Sequence, residues 1–575
     1  MKSKYYFHLA LLVLITAVLT VFDVDSLYKS DVDVYSNRQS GFYLNTFQLI
    51  LSHSDTTSDK YVIRYTFDGS EPNHQSELFK EQLLINGNES YSGLSFIKTT
   101  IADSISKFPE KWVKPVGEQE KATIVRFAAF RDGKLSSRVK TLSFFIKNSS
   151  QSESLGAKEL LDAERYVKYG LPVISISTDR KNLYSDEKGL FVVGDYLDVK
   201  NRHSGNFFER GKEFEREVYF QYFDSAGILD FELSLGMRIH GGVSRRFPQK
   251  SIKFYKRKKY DKSKIDFPFL ASKGVKRFIV EGMQESGGGR ALIEDIVAQE
   301  IVKGVGLEQQ TFQAVIVFIN GEYFGLYSIR DRIDEHYLAY KFNLHRDSFD
   351  VIDGHADRGF SAIHGDNTDF LNVLSFIKEN NLSKLENYEF ITSKIDIDNL
   401  INYYAIEIFF ANLDWPIHNI KMWKRKKNGK WRFLLYDLDG GFSHKTKKDL
   451  EEDHTVDMFD RLLKPDDCRS CKNTTNSTVL FRGLSESDVF RQKFGDRYKE
   501  IIDLYMSPLK TLPIVDSVAK IYAPYIPDHI KRWGFPRHVK KQWERDIDAN
   551  IKYFLENREA STLKNLNSYM IDYDD

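Results

Sequence analysis

The sequence predicts an α+β protein, strand-rich in its first half and mostly helical in its second. Three observations carry that expectation. Short apolar or alternating runs, separated by Asp-Gly and Asn-Gly turns, fill residues 27–147 and strands continue from 171 to about 286. From 290, "ALIEDIVAQEIVKGVGL" sets Leu292, Ile293, Ile296, Val297 and Ile301 at helical spacing. Beyond it, aromatic helical runs such as "VFRQKFGDRYKEIIDLYM" are broken by a strand pair around 420–438. Strands first and helices after, over 575 residues, make a small β-sandwich followed by a two-lobed unit.

The chain opens with "MKSKYYFHLALLVLITAVLTVFDVDS", two lysines and then an uncharged run from Tyr5 to Phe22. Residues 1–26 are therefore expected to be a signal peptide or a membrane anchor, and the protein to be exported, extracellular, periplasmic or at the cell surface. With 83 Lys plus Arg against 82 Asp plus Glu, no charge excess points to nucleic acid. The two cysteines, Cys468 and Cys471, stand in the polar stretch "KPDDCRSCKNTTNST". In an exported chain that pair reads as a small loop-closing disulfide.

In 27–147, "KYVIRYTFDGSEP" alternates and turns at Asp68-Gly69, and "TIVRFAAFRDGKLSSRVKTLSFFI" is two strands around Asp132-Gly133. Tyr65 to Pro72 and Val125 to Ser136 resemble the signature turn and strand pair of chitobiase C-terminal-type sandwich modules. That resemblance implies an accessory role without catalysis, with a glycan or an envelope component as partner. The polar residues 148–170 read as a linker.

Two constellations carry chemistry. In "MRIHGGVSRRFPQKSIKFY" a strand meets Gly241 and Gly242, and a second strand carries lysines. Glycines let backbone N–H groups approach phosphate oxygens, and a lysine on the next strand neutralises their charge. Ile252 and Phe254 share the core face, which turns Lys253 outward; Lys250 is the alternative. The second constellation spans "FFANLDWPIHNIKMW" and "KWRFLLYDLDGGF". Asp414 ends an apolar helix, Asn419 follows five residues later, and a hairpin turning at Asn428-Gly429 returns Asp437 beside Asn419. A loop acid, a neutral amide oxygen and a carboxylate followed by Asp439 and glycines suit a general base beside a divalent cation. The histidines His240, His418 and His444 have no metal-ligand spacing.

"LPVISISTD", "GLFVVGD", "MRIHGGVSRRFPQKSIKFY", "VFINGEYFGLYSIRDRID", "NLDWPIHNIKMW" and "WRFLLYDLDGGF" occur in this order and resemble the motifs of the CotH family of atypical protein kinases. The resemblance covers residues 171–560 and leaves 561–575 as a tail. It implies a bilobal kinase-like fold and transfer of the ATP γ-phosphoryl group, with Mg2+ or Mn2+, to Ser or Thr of secreted or envelope proteins. It implies Asp414 as catalytic base, Asn419 and Asp437 as metal ligands assisted by Asp439, and Lys253 at the phosphates. Two positions depart from the family. "LIED" has Glu294 where Arg is usual, with Arg290 one turn earlier as a substitute, and Tyr327…Asp331 has Asp for Glu. These departures keep a non-catalytic envelope protein as the alternative, with a DxD-type glycosyltransferase third.

Overall fold

The computed structural model describes residues 32–571 except 56–59, 88–92, 101–111, 148–158, 161–163, 202, 264, 266, 268–269, 271–274, 284–290, 357, 443–452, 465–474 and 535–538. The N-terminal hydrophobic segment, Arg290, His444, Cys468 and Cys471 lie outside the described residues. Among the described residues no helix is long and apolar enough to cross a membrane.

The sandwich is built on the strands Gly41–Tyr43, Lys140–Ile146, Thr123–Arg131, Val62–Thr66 and Glu77–Leu78, adjacent in that order. Asp132 and Gly133, both at positive φ, turn Thr123–Arg131 into the short strand Lys134–Leu135. Val125, Phe127 and Ala129 point into the sandwich core with Leu142 and Phe144. Thr123–Arg131 is nonetheless buried on both faces up to Phe130. A second structure covers its other face, which is why the run is mostly apolar rather than alternating, with Arg126 buried and bonded to Thr141, Gly69 and Glu71.

That second structure is a closed barrel. Its strands run Val173–Ser177, Arg216–Phe223, Leu229–Ile239, Ile252–Tyr255, Arg277–Gly282, Glu322–Asp331 and Phe312–Ile319, and the last pairs in parallel with the first. Alternation sends Phe220, Ile252, Phe254, Phe278 and Val280 inward. Asn320 and Gly321, both at positive φ, make the expected tight turn between Phe312–Ile319 and Glu322–Asp331. The chain leaves the barrel through Arg332, Ile333 and Asp334. Asp334 caps the helix Glu335–Lys341, and Arg277 holds both Asp334 and Glu335 at 3.0 Å.

The remaining lobe has a five-stranded sheet in the order Glu308–Gln309, Arg432–Leu435, Ile420–Arg425, Phe349–His355 and Gly359–His364. Helices pack around it. Ile397–Phe409 is buried along almost its whole length at the centre of the largest apolar cluster. The helix Ile526–Trp533 docks on the barrel, with Trp533 Nε1 donating to the Phe324 carbonyl at 2.8 Å and His529 Nδ1 accepting from Leu326 N–H at 3.1 Å. Gly325 (φ +115°) is required there, because a Cβ would lie 2.8 Å from Trp533 Nε1.

Two expected boundaries differ from the structure. Tyr166 and Tyr169, in the expected linker, are 1% and 3% exposed and meet Phe42 of the sandwich edge to face. Polar composition around them hid these aromatic anchors. The expected tail continues a helix, Tyr553–Ile571, with Leu566 and Tyr569 buried.

Candidate functional site

The upper wall of the cleft is the outward face of the barrel. Register places Arg238 opposite Lys253, Lys253 opposite Ile279 and Ile279 opposite Arg330, a row across four strands. His240 and Glu281, each two residues along its strand, share that face. Lys253 is half-buried. Burial, then Arg332, Arg245, Arg210 and Arg238, push its ammonium down to about 7. Burial, then Lys253, Arg332, Arg245 and Lys421, hold His240 well below its ordinary value, so it is neutral.

Gly241 and Gly242 form the corner between the two strands of this wall. Gly241 has φ +103°, and a Cβ there would lie 2.2 Å from Ser244 Oγ. Arg245 anchors the loop from inside: its guanidinium donates to the carbonyls of Gly241, Phe207, Glu209 and Ile239 at 2.7–3.1 Å. Lys250, the alternative to Lys253, is 0% exposed, donates to the Arg245 carbonyl at 2.7 Å and lies 3.8 Å from the Phe207 ring centre. It holds the loop and does not line the cleft, because strand alternation turns it opposite to Lys253.

The lower wall is a loop pair on the helix Ile397–Phe409. Leu413 N–H donates to the Gly440 carbonyl at 3.0 Å, and Phe442 N–H to the Phe410 carbonyl at 2.8 Å. These bonds bring the 412–419 loop against 437–442. A Cβ on Gly440 would lie 3.2 Å from Asp414 Cβ. The Asn419 amide nitrogen donates to the Asp437 carbonyl at 3.4 Å. The hairpin between them has the expected register, with Trp423 opposite Arg432. Asp414, Asn419 and Asp437 therefore converge. Asp414 and Asp439 are exposed, and Asn419 and Asp437 half-buried.

Asn412, which the sequence did not single out, joins these parts. Its amide nitrogen donates to Glu407 Oε2 at 2.9 Å and to the Asp437 carbonyl at 3.4 Å, while its Oδ1 accepts from Asp414 N–H at 3.2 Å. Burial pushes the Glu407 carboxyl up to about 8, so it is protonated at neutral pH. The Tyr403 hydroxyl donates to the Asn419 carbonyl at 3.2 Å.

Between the walls stands a buried ion network. Arg330 pairs with Glu281 at 2.7 Å and with Asp295 on the helix Glu294–Ile301. Asp295 Oδ1 accepts from Leu438 N–H at 2.7 Å, so this helix fixes the loop that carries Asp437. The two departing residues are the chain neighbours of Asp295 and Arg330. Glu294 accepts from Ala291 N–H at 2.8 Å at the start of its own helix. Asp331 takes Thr311 through its backbone N–H, at 3.2 Å, and its hydroxyl.

Burial, then Asp439, Glu281, Asp295 and Asp414, push the Asp437 carboxyl well above its ordinary value. A divalent cation would relieve that crowding, and the donor set fits one: the Asn419 nitrogen is engaged, which leaves its Oδ1, and Asp437 and Asp439 are hard oxygen donors. Among the described residues no three His, Cys, Asp or Glu side chains cluster closely enough to hold a metal ion alone. Such a cation would take its remaining ligands from phosphate oxygens and water.

A family model described as CotH kinase protein matches residues 237–562, more than half of the chain. The chain belongs to the CotH kinase family. A second model, described as Fn3 associated, matches residues 51–144 of the sandwich. The barrel begins before the CotH match, at Val173. Among solved structures, the chain is similar to the Helicobacter pylori proinflammatory kinase CtkA, at 12% identity over 49% of this chain and 94% of that one, with a TM-score of 0.20. No curated protein matches it.

Proposed function

We propose that this CotH-family chain is an exported kinase that transfers the γ-phosphoryl group of ATP to Ser or Thr hydroxyls of secreted or envelope proteins. The observation that carries this reading is the convergence of Asp414, Asn419 and Asp437 beneath a barrel face on which four arginines, Arg332, Arg245, Arg210 and Arg238, act on Lys253. Lys253 charges fully when phosphate oxygens approach, and with Arg332 it orients them. Asn419 and Asp437, with Asp439 beside them, would hold Mg2+ or Mn2+, which when bound neutralises charge on the phosphate oxygens. Asp414, exposed on its loop, accepts the proton of the acceptor hydroxyl as that oxygen bonds to phosphorus and the ADP oxygen leaves. Glu294 and Asp331, at the two departing positions, bond Ala291 and Thr311.

The test is incubation of the purified chain with labelled ATP and magnesium or manganese, following label on the chain itself and on co-secreted proteins. Transfer that Asp414→Asn abolishes is the expected result. Absence of nucleotide binding by calorimetry would leave a scaffold role at the cell envelope.

A further inference from the structure

The sandwich touches the phosphate corner of the barrel. Glu322, 2% exposed at the start of the strand Glu322–Asp331, accepts from Leu94 N–H at 2.9 Å and Ser95 N–H at 3.0 Å. One carboxylate thus caps the short turn Leu94–Phe96 from the barrel side. Ala122 N–H donates to the Gly321 carbonyl at 2.6 Å, and the Asp68-Gly69 turn sits so close to Asn320 that a Cβ on Gly69 would lie 2.3 Å from its Oδ1. Downstream of the seated turn, Thr99 is 1% exposed, and its hydroxyl donates to the Pro248 carbonyl at 2.7 Å.

Pro248 belongs to the loop that runs from Gly241 and Gly242 to the strand of Lys253. Arg245 and Lys250 hold that loop from inside the lobe. Gln249 holds it at one more point, donating to the Leu326 carbonyl at 2.7 Å. Thr99 is the hydroxyl that holds it from the sandwich. Proline has no N–H, so at this residue the loop is fixed through the carbonyl alone.

We propose that Thr99 is a positioning residue for nucleotide binding, and that the sandwich serves as a brace for the phosphate corner. This rests on the kinase reading for its catalytic consequence, but the brace itself is physical and measurable without nucleotide. Thr99→Val keeps the shape, removes the donor and leaves a buried carbonyl unpaired.

The experiment uses the full chain as wild type, Thr99→Val and Thr99→Ser. Amide exchange over 241–251 should quicken in Thr99→Val and return toward wild type in Thr99→Ser. The KM for ATP should rise roughly three- to tenfold in Thr99→Val with kcat nearly unchanged, an effect of the size expected for one buried hydrogen bond. Unchanged exchange and unchanged KM in Thr99→Val would overturn the proposal, as would a loss that Thr99→Ser shares in full. If wild type binds no nucleotide, the kinase reading fails by itself, and the exchange data still decide the brace.

Discussion

If the proposed function holds, Lys253 should make nucleotide binding a proton-linked event. Its ammonium stands at about 7 instead of 10.5, so the folded chain disfavours its charged form by about 5 kcal/mol. Burial is the first cause, and four arginines supply the rest. A polyphosphate supplies the missing anion and raises that value again. Below pH 7 the group is already protonated and binding takes up nothing. Above pH 7 each binding event must take up a proton, so affinity falls with rising pH, at most about tenfold per unit. The assay is calorimetry with Mg-ATP from pH 6.5 to 8.5 in buffers of different ionisation enthalpy. Wild type should show proton uptake growing through this window, and Lys253→Met should bind more weakly with a flatter profile. Folding gives the complementary sign: between about 7 and 10.5 the unfolded chain holds a proton that the folded chain lacks, so stability of the free protein rises with pH there. Equal proton uptake in wild type and Lys253→Met would refute the assignment of this residue to the phosphates.

Asp414→Asn should slow transfer by about 10²–10⁴-fold while leaving nucleotide affinity intact, read by single-turnover transfer beside calorimetry. Asp437→Asn should abolish divalent-dependent binding yet raise the unfolding midpoint of the free protein, because a carboxyl held above its ordinary value by burial and four carboxylates destabilises the fold at neutral pH. Arg330→Met strands Glu281 and Asp295 and should cost about 3–5 kcal/mol in denaturant unfolding.

Much of this architecture was legible in the sequence for local reasons. Alternation around Ile252 and Phe254 turned Lys253 toward the cleft, and the Asn428-Gly429 turn fixed the register that returns Asp437 to Asn419. What stayed hidden depends on packing between distant segments. Nothing local in "LIED" says that Asp295 will hold both Arg330 and Leu438 N–H, or that Glu294 will serve its own helix start. Asn412 stood two residues before Asp414, but its role needs Glu407 and Asp437 in place around it. The sandwich read as a separate accessory unit because its strand Thr123–Arg131 looks the same whether its second face meets solvent-excluding partners from its own module or from the barrel. The polar residues after 147 looked like a tether because composition averages over Tyr166 and Tyr169.

The barrel has no seam. Val173–Ser177 zips to Phe312–Ile319, so the sheet closes on itself and leaves no free strand edge beside the cleft. The drum is pinned to the helical lobe where Arg277 clasps Asp334 and Glu335 and where Trp533 plugs in beside Gly325. Any change in the angle between drum and lobe would load those two pins.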